Sequence, residues 1–205
     1  MIDLTKKLPL KKDARTILNL RLNQNILLLM PASRPQELHY VLPTFMRAAK
    51  KLQQKYPNLV VYIPSCRRNF DEIFKKAFRK YQVKGHVISQ KDNAKLKPYI
   101  YSLTKIALCK SGTVNMELAL YGIPQIVGYR VSRVTAFIAK KILNFKVRFI
   151  SPVNLLVNKL IIPEFVQREF DEKKIFYKSC RILEGKSEKI KIKKGYAFLK
   201  KELGE

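Results

Sequence analysis

Two short turns hold the residues of this sequence best suited to chemistry. The first, Ser111-Gly112-Thr113, follows the apolar run 106–109 and opens a segment with helical spacing. A glycine there lets the backbone approach a bound anion, two hydroxyls can donate hydrogen bonds, and the free N–H groups that begin a helix favour negative charge. Glu117 stands four residues after Thr113. One helical turn on, it shares Thr113's face and stays near such a site without meeting the anion head-on. A carboxylate so placed suits ribose hydroxyls, the role an acidic residue takes in dinucleotide folds. The plainer reading is that Ser111 or Gly112 caps a helix and Glu117 is solvated. These residues alone leave both readings open. The second turn lies within "MPASRPQE", residues 30–37, and offers Ser33 and Arg34 before another helix start. Its guanidinium could fork onto a phosphate or be an ordinary surface charge.

Both turns need strands behind them, and the chain supplies them. The apolar runs 25–30, 59–63, 86–89, 106–109, 125–129 and 147–150 predict six strands. They are continuous where they are clearest, as in "NILLLM" and "LVVYI", the pattern of strands buried on both faces of a parallel sheet. Between them the apolar residues step by three and four. Leu38, Val41, Leu42, Phe45, Ala48, Ala49 and Leu52 make one such stripe, and Phe70, Ile73, Phe74, Ala77 and Phe78 another. Further helices are expected over 93–103, over 115–121 with Gly122 and Pro124 stopping it, and along Val134, Phe137, Ile138, Ile142 and Leu143. Strands alternating with helices predict an α/β fold, a doubly wound parallel sheet of about six strands with right-handed crossovers. In such sheets ligands sit at the carboxyl ends of the strands, where both turns fall. Residues 1–20 read as a linker with a short helix, 21–170 as the sheet domain, and 171–205 as terminal helices.

Composition narrows the function classes less sharply. With 205 residues and 47% apolar content, one domain with a packed core is expected. The balance of 42 Lys+Arg against 15 Asp+Glu, a formal charge of +27, admits nucleic acid, an anionic membrane or a phosphorylated substrate, and equally reflects a biased genome composition. No aromatic RNP-like strand, helix-turn-helix pattern or zinc finger supports nucleic acid. Cys66, Cys109 and Cys180 lie far apart and only two histidines exist, so neither a disulfide framework nor a bound metal is expected. No signal-peptide core begins the sequence, and no run approaches the roughly 18 to 20 apolar residues of a membrane span. A soluble or peripheral protein is expected. Residues 130–149 mix Lys140, Lys141, Lys146 and Arg148 with aromatics, the pattern of an interfacial helix or of a sheet-covering helix with a solvated edge.

Three separated stretches carry a family likeness. "LLLMPASRPQELHYVLPTFMRAAKKL", "KSGTVNMELALYGIPQIVGYRVSRVTAFIAKKIL" and "RFISPVNLLVNKLIIPEFVQREF" resemble, in order and spacing, the C-terminal half of bacterial lipid-A-disaccharide synthases. That family shows an "LLPGSR" turn, an "SGT" block with a following "LE" and a "YR", and an "SLPN" segment leading to a proline, a glutamate and a glutamine. The likeness runs from about Pro9 to the C-terminus.

The resemblance implies a GT-B glycosyltransferase, in which this part would be the nucleotide-sugar-binding domain. Such enzymes transfer 2,3-diacylglucosamine from its UDP derivative to 2,3-diacylglucosamine 1-phosphate, releasing UDP. By motif, Ser33 and Arg34 match the donor-side turn, with Arg34 as a candidate leaving-group stabiliser. Ser111, Gly112 and Thr113 match the diphosphate-facing turn, and Glu117 the ribose-binding position. Asn154 and Gln167 match residues that line the donor side. The donor is expected to bind without a metal or other cofactor.

Expected partners are the UDP-sugar, a lipid monosaccharide phosphate acceptor, an anionic membrane surface, and a separate N-terminal half or a second copy. The expected place is cytoplasmic, at the inner membrane, or its plastid-like equivalent. The acceptor-binding half and its catalytic acids have no counterpart in these motifs, so binding without transfer is expected unless such a half docks. The sequence departs from the family at Ala32, which replaces a glycine and implies a reshaped turn. It departs again at Pro152-Val153, where the proline is one position early, and at Lys110, where a small residue is common.

Overall fold

The computed structural model describes residues 7–132 and 148–204. Six parallel strands form one sheet in the order β3-β2-β1-β4-β5-β6. In chain order these are β1 (Asn25–Met30), β2 (Leu59–Pro64), β3 (Gly85–Ile88), β4 (Thr104–Lys110), β5 (Gln125–Tyr129) and β6 (Glu164–Val166). The central strands are buried on both faces, as their unbroken apolar runs require: Ile26, Leu27, Leu28 and Leu29 expose nothing. Burying each such side chain is worth about 1.5–3 kcal/mol against leaving it in water.

The α-helices among the described residues are α1 (Lys11–Ile17), α2 (Pro35–Lys55), α3 (Arg68–Tyr81), α4 (Gln90–Leu103), α5 (Val114–Leu120), α6 (Pro152–Val157), α7 (Glu172–Glu184) and α8 (Lys186–Glu202). Right-handed crossovers fix their faces. From β1 to β3 the chain steps one way across the sheet, placing α2 and α3 on one face. From β3 over to β4 and on to β5 it steps the other way, placing α4 and α5 opposite. The terminal helices divide between these layers: α7 packs on α2, whereas α8 packs on α5 and α6. Helix α1 packs on α4 through the fully buried Ala14.

At β5 the α2 face is closed by Phe45 and Phe170, edge to face with ring centroids 5.2 Å apart. Gly128 makes room for them, since a Cβ there would lie 2.1 Å from the Phe170 ring. Gly122, at φ +68°, ends α5 in the left-handed conformation that glycine adopts without strain.

The sixth strand differs from the sequence expectation. Residues 148–150 are not extended into the sheet, and position 147 and the helical face 134–143 lie outside the described residues. The edge strand is instead Glu164–Val166, paired with β5 from Val127↔Glu164 to Tyr129↔Val166. Three residues beginning with a glutamate carry too little apolar pattern to read as a strand. "VRFI" has the pattern, but the backbone of Ile150 and Ser151 is held by the Glu164 carboxylate at 2.7 and 2.9 Å rather than by a strand.

Candidate functional site

The strand order reverses between β1 and β4, and the two chemically suited turns leave the sheet at that point. Met30 and Cys109 pair across the two strands, so the turns start level with one another. Because β1 feeds a helix on one face and β4 a helix on the other, a crevice opens between their carboxyl ends, the place where open α/β sheets hold ligands.

On the β1 side, Ser33 and Arg34 are exposed. Arg34 takes the extended N-cap conformation, Pro35 begins the 21-residue α2, and the Arg34 side chain makes no hydrogen bond or ion pair among the described residues. Ala32 is absent from the residues with positive φ, so the turn without its glycine is built in ordinary backbone. The expected reshaping carries no left-handed strain.

On the β4 side, Lys110 reaches across the crevice floor to pair with Glu37 in the first turn of α2, and its amine lies 5.7 Å above the centre of the Tyr129 ring. Ser111 donates its hydroxyl hydrogen to the Ile150 carbonyl. The Gly112 N–H donates to Asn115 Oδ1 at 2.8 Å. A Cβ at Gly112 would meet no atom within 4 Å, so the fold itself makes no demand for glycine there. Thr113 is exposed and its side chain does not cap the helix. Met116 and Glu117 donate back to the Thr113 carbonyl, and the amides of Thr113 and Val114 precede any intrahelical partner.

Glu117 does follow Thr113 on the helix, but it is not simply solvated. Its Oε1 lies 2.6 Å from Lys97 of α4. Below it, burial and then the Glu117 charge hold the Tyr101 phenol well above its usual value. One lysine thus steers the carboxylate, whose second oxygen makes no ion pair among the described residues.

The segment after residue 148 completes the rim. Asn154 is fully buried and spends every hydrogen-bonding valence internally. Its Nδ2 donates to the Ile162 carbonyl and to Glu164, and its Oδ1 accepts from the Ile161 and Ile162 amides, all within 2.7–3.0 Å. It therefore knots the loop that carries Ile150, the acceptor of the Ser111 bond. Gln167 follows β6 in the left-handed conformation, φ 53°, and its carbonyl is held by Arg130. Arg130 also bonds the Phe170 carbonyl and sits 5.2 Å over the Phe170 ring.

Ser33 and Arg34, Ser111 to Thr113, and Gln167 thus leave the carboxyl ends of β1, β4 and β6, strands that lie within four consecutive positions of the sheet. Asn154 stands behind that edge rather than on it. Sequence reasoning missed Glu37, Asn115, Gln125, Arg130 and Glu164, whose polar groups build the site's support. Asn115 and Gln125 left one signal, a polar side chain on the buried side of an apolar element. Among the described residues no group of three His, Cys, Asp or Glu could hold a metal ion, and no helix is long and apolar enough to cross a membrane.

Comparison with known proteins bears on the family and the fold. The family described as lipid-A-disaccharide synthetase matches residues 1–204. Among curated relatives, the lipid-A-disaccharide synthase of Prochlorococcus marinus (strain MIT 9313) is 42% identical over 204 residues, covering 100% of this chain and 52% of the relative. That of Gloeothece citriformis (strain PCC 7424) is 34% identical over 205 residues, again covering 100% of this chain and 52% of the relative. The chain spans about half the length of these relatives. Among solved structures, a glycosyltransferase from Rickettsia africae ESF-5 superposes with a TM-score of 0.65 at 12% identity, over 98% of this chain and 49% of that one. WaaG, a glycosyltransferase involved in lipopolysaccharide biosynthesis, gives 0.62 at 13% identity over 98% and 49%. These two structures share the fold, a GT-B half. The sequence relationship says more: the chain belongs to the lipid-A-disaccharide synthase family.

Proposed function

We propose that this chain forms the donor side of a lipid-A-disaccharide-synthase-like glycosyltransferase. It binds UDP-2,3-diacylglucosamine and, together with an acceptor-binding half, passes the sugar to 2,3-diacylglucosamine 1-phosphate in lipid A biosynthesis. The observation that carries this reading is the pair of donor-rich turns, Ser33-Arg34 and Ser111-Gly112-Thr113, side by side where the strand order reverses. Thr113 and the first amides of α5 supply hydrogen-bond donors to the diphosphate, and the open space at Gly112 admits it. Arg34 brings a cation that no carboxylate among the described residues neutralises, and Glu117 accepts from the ribose. Asn154 contributes by positioning, through the loop that Ser111 grips.

In the transfer step an acceptor hydroxyl oxygen bonds to the anomeric carbon as the bond from that carbon to the diphosphate breaks. The electron pair leaves with UDP, where Arg34 and the 111–113 turn stabilise the growing charge. The hydroxyl proton goes to a base of the acceptor half. Binding at an anionic membrane surface fits the charge of +27 and brings the site to its lipid acceptor.

Titration with UDP and with duplex DNA across a salt series tests the reading. Saturable UDP binding that weakens in Thr113→Ala and Arg34→Ala is expected. No UDP binding, with salt-steep DNA affinity, overturns it.

A further inference from the structure

A chain of buried polar groups runs from the last helix to the turn after β4. The Tyr196 hydroxyl on α8 donates to the Ile123 carbonyl at 2.9 Å and accepts from Gln125 Nε2 at 3.1 Å. Gln125 Nε2 also donates to the Asn115 carbonyl at 2.9 Å, while its Oε1 accepts from Asn115 Nδ2 at 3.0 Å. Asn115 then takes hold of the turn itself. Its Nδ2 reaches the Lys110 carbonyl at 3.3 Å and its Oδ1 receives the Gly112 N–H at 2.8 Å. The two peptide groups flanking Ser111 are thus fixed by one side chain. Asn115 and Gln125 are fully buried and Tyr196 is 2% exposed.

The geometry points to Tyr196 as a positioning residue for the donor turn, acting through Gln125 and Asn115. This rests on the nucleotide-site reading proposed above. Satisfying buried polar groups accounts for part of the arrangement, since without these side chains the Lys110 and Ile123 carbonyls and the Gly112 amide would lose these partners. It does not require the three side chains to be linked to one another. What polar groups add is a fixed geometry at their end points. Here one end is anchored on α8 and Ile123, and the other on the carbonyl and amide either side of Ser111. A turn that must present hydrogen-bond donors to a diphosphate gains from being held before the ligand arrives, since ordering it on binding would cost affinity. The C-terminal helix is therefore part of the donor site's architecture although it lies on the sheet face rather than in the crevice.

Tyr196→Phe removes only the hydroxyl. The variant is expected to stay folded, to bind UDP about three- to tenfold more weakly, the range of one lost hydrogen bond, and to exchange the Gly112 amide proton faster. Gln125→Met, which keeps the volume and removes the relay, should do the same and stands in if Tyr196→Phe folds poorly. Tyr196→Phe combined with Asn115→Ala should bind no more weakly than Asn115→Ala alone, because the signal passes through Asn115. Leu199→Ala is the control. It empties a fully buried site on the same helix without touching the relay, so it should lower thermal stability and leave UDP affinity unchanged.

Wild-type UDP affinity and Gly112 exchange in both relay variants overturn the proposal, as does an equal loss of affinity in Leu199→Ala. If the wild-type chain itself does not bind UDP, the nucleotide-site reading falls. Unchanged Gly112 exchange in the relay variants would then dispose of the relay on separate grounds, and faster exchange would uphold it.

Discussion

The Lys97 amine on α4 lies 2.6 Å from Glu117 Oε1 on α5, so the acidic residue one turn beyond the Ser111–Thr113 turn is held by a neighbouring helix. With Lys97 37% and Glu117 20% exposed, the pair contributes about 0–1 kcal/mol to stability, as surface pairs do. Its larger effect is to orient one carboxylate oxygen; in the proposed ribose role the other is left for the ligand. Glu117→Gln should therefore lower the melting temperature little while weakening UDP binding about tenfold, measured by calorimetric titration. Lys97→Ala, which frees the carboxylate without removing it, should weaken binding less. Unchanged UDP affinity in Glu117→Gln removes the residue from the ribose role.

The glycines separate fold from function. Gly112 has open space where a Cβ would go, whereas at Gly128 a Cβ would collide with Phe170. Gly112→Ala is expected to melt within a degree or two of the wild type, a surface-like change worth under ~0.5 kcal/mol, and still to lose UDP affinity because the methyl occupies the ligand's approach. Gly128→Ala should cost about 1–3 kcal/mol through overpacking against Phe45 and Phe170. Denaturant midpoints for the two variants give the contrast directly.

Five of the six strands and the position of both turns were legible because they rest on period and punctuation: unbroken apolar runs, Gly122 with Pro124, and small residues after β4. What the sequence hid was pairing. Lys110 reads as an odd cation before Ser111, yet Glu37, 73 residues earlier, explains it. Asn154 reads as a ligand contact, yet all its valences close on Ile161, Ile162 and Glu164. Nothing in a linear pattern says whether a polar side chain points at a ligand or at a backbone that has lost its strand partner. Glu164–Val166 was hidden for a related reason, since a short edge strand with one polar residue has neither the length nor the alternation that marks a strand.

Alkaline pH should destabilise the protein through its buried thiol and phenol groups. Burial pushes the Cys109 thiol up from 9.0 to about 12. In the unfolded chain it ionises near its ordinary value, so between these two values the folded state holds a proton that the unfolded state has lost. Its share of stability is complete below about pH 9 and declines as pH rises toward 12, by at most about 1.4 kcal/mol per pH unit. Burial raises the Tyr101 and Tyr196 phenols in the same direction, which steepens the fall once free tyrosine begins to ionise near 10.0. Urea midpoints taken at about pH 8, 9.5 and 10.5 should drop progressively, and Cys109→Ala should flatten the first part of that drop. A midpoint independent of pH across this range would contradict the assignment.

Asn154→Asp tests whether the loop behind the rim is held as the hydrogen bonds indicate. The aspartate keeps the acceptor used by the Ile161 and Ile162 amides, but it loses both donors and sets a second carboxylate against Glu164, which lies 2.7 Å from Nδ2 in the wild type. It also leaves the Ile162 carbonyl without its 2.8 Å donor. Loss of a buried, fully satisfied network together with like-charge contact should destabilise the fold by about 3–5 kcal/mol at neutral pH. Part of this should return as the pH is lowered, once one of the two facing carboxyls takes up a proton and can again donate. Glu164→Gln, paired with Asn154→Asp, should restore some stability at neutral pH by removing the repulsion and returning an amide donor to the cluster. Full wild-type stability in Asn154→Asp alone would mean that the Asn154 amide is not what holds Ile150 in reach of Ser111.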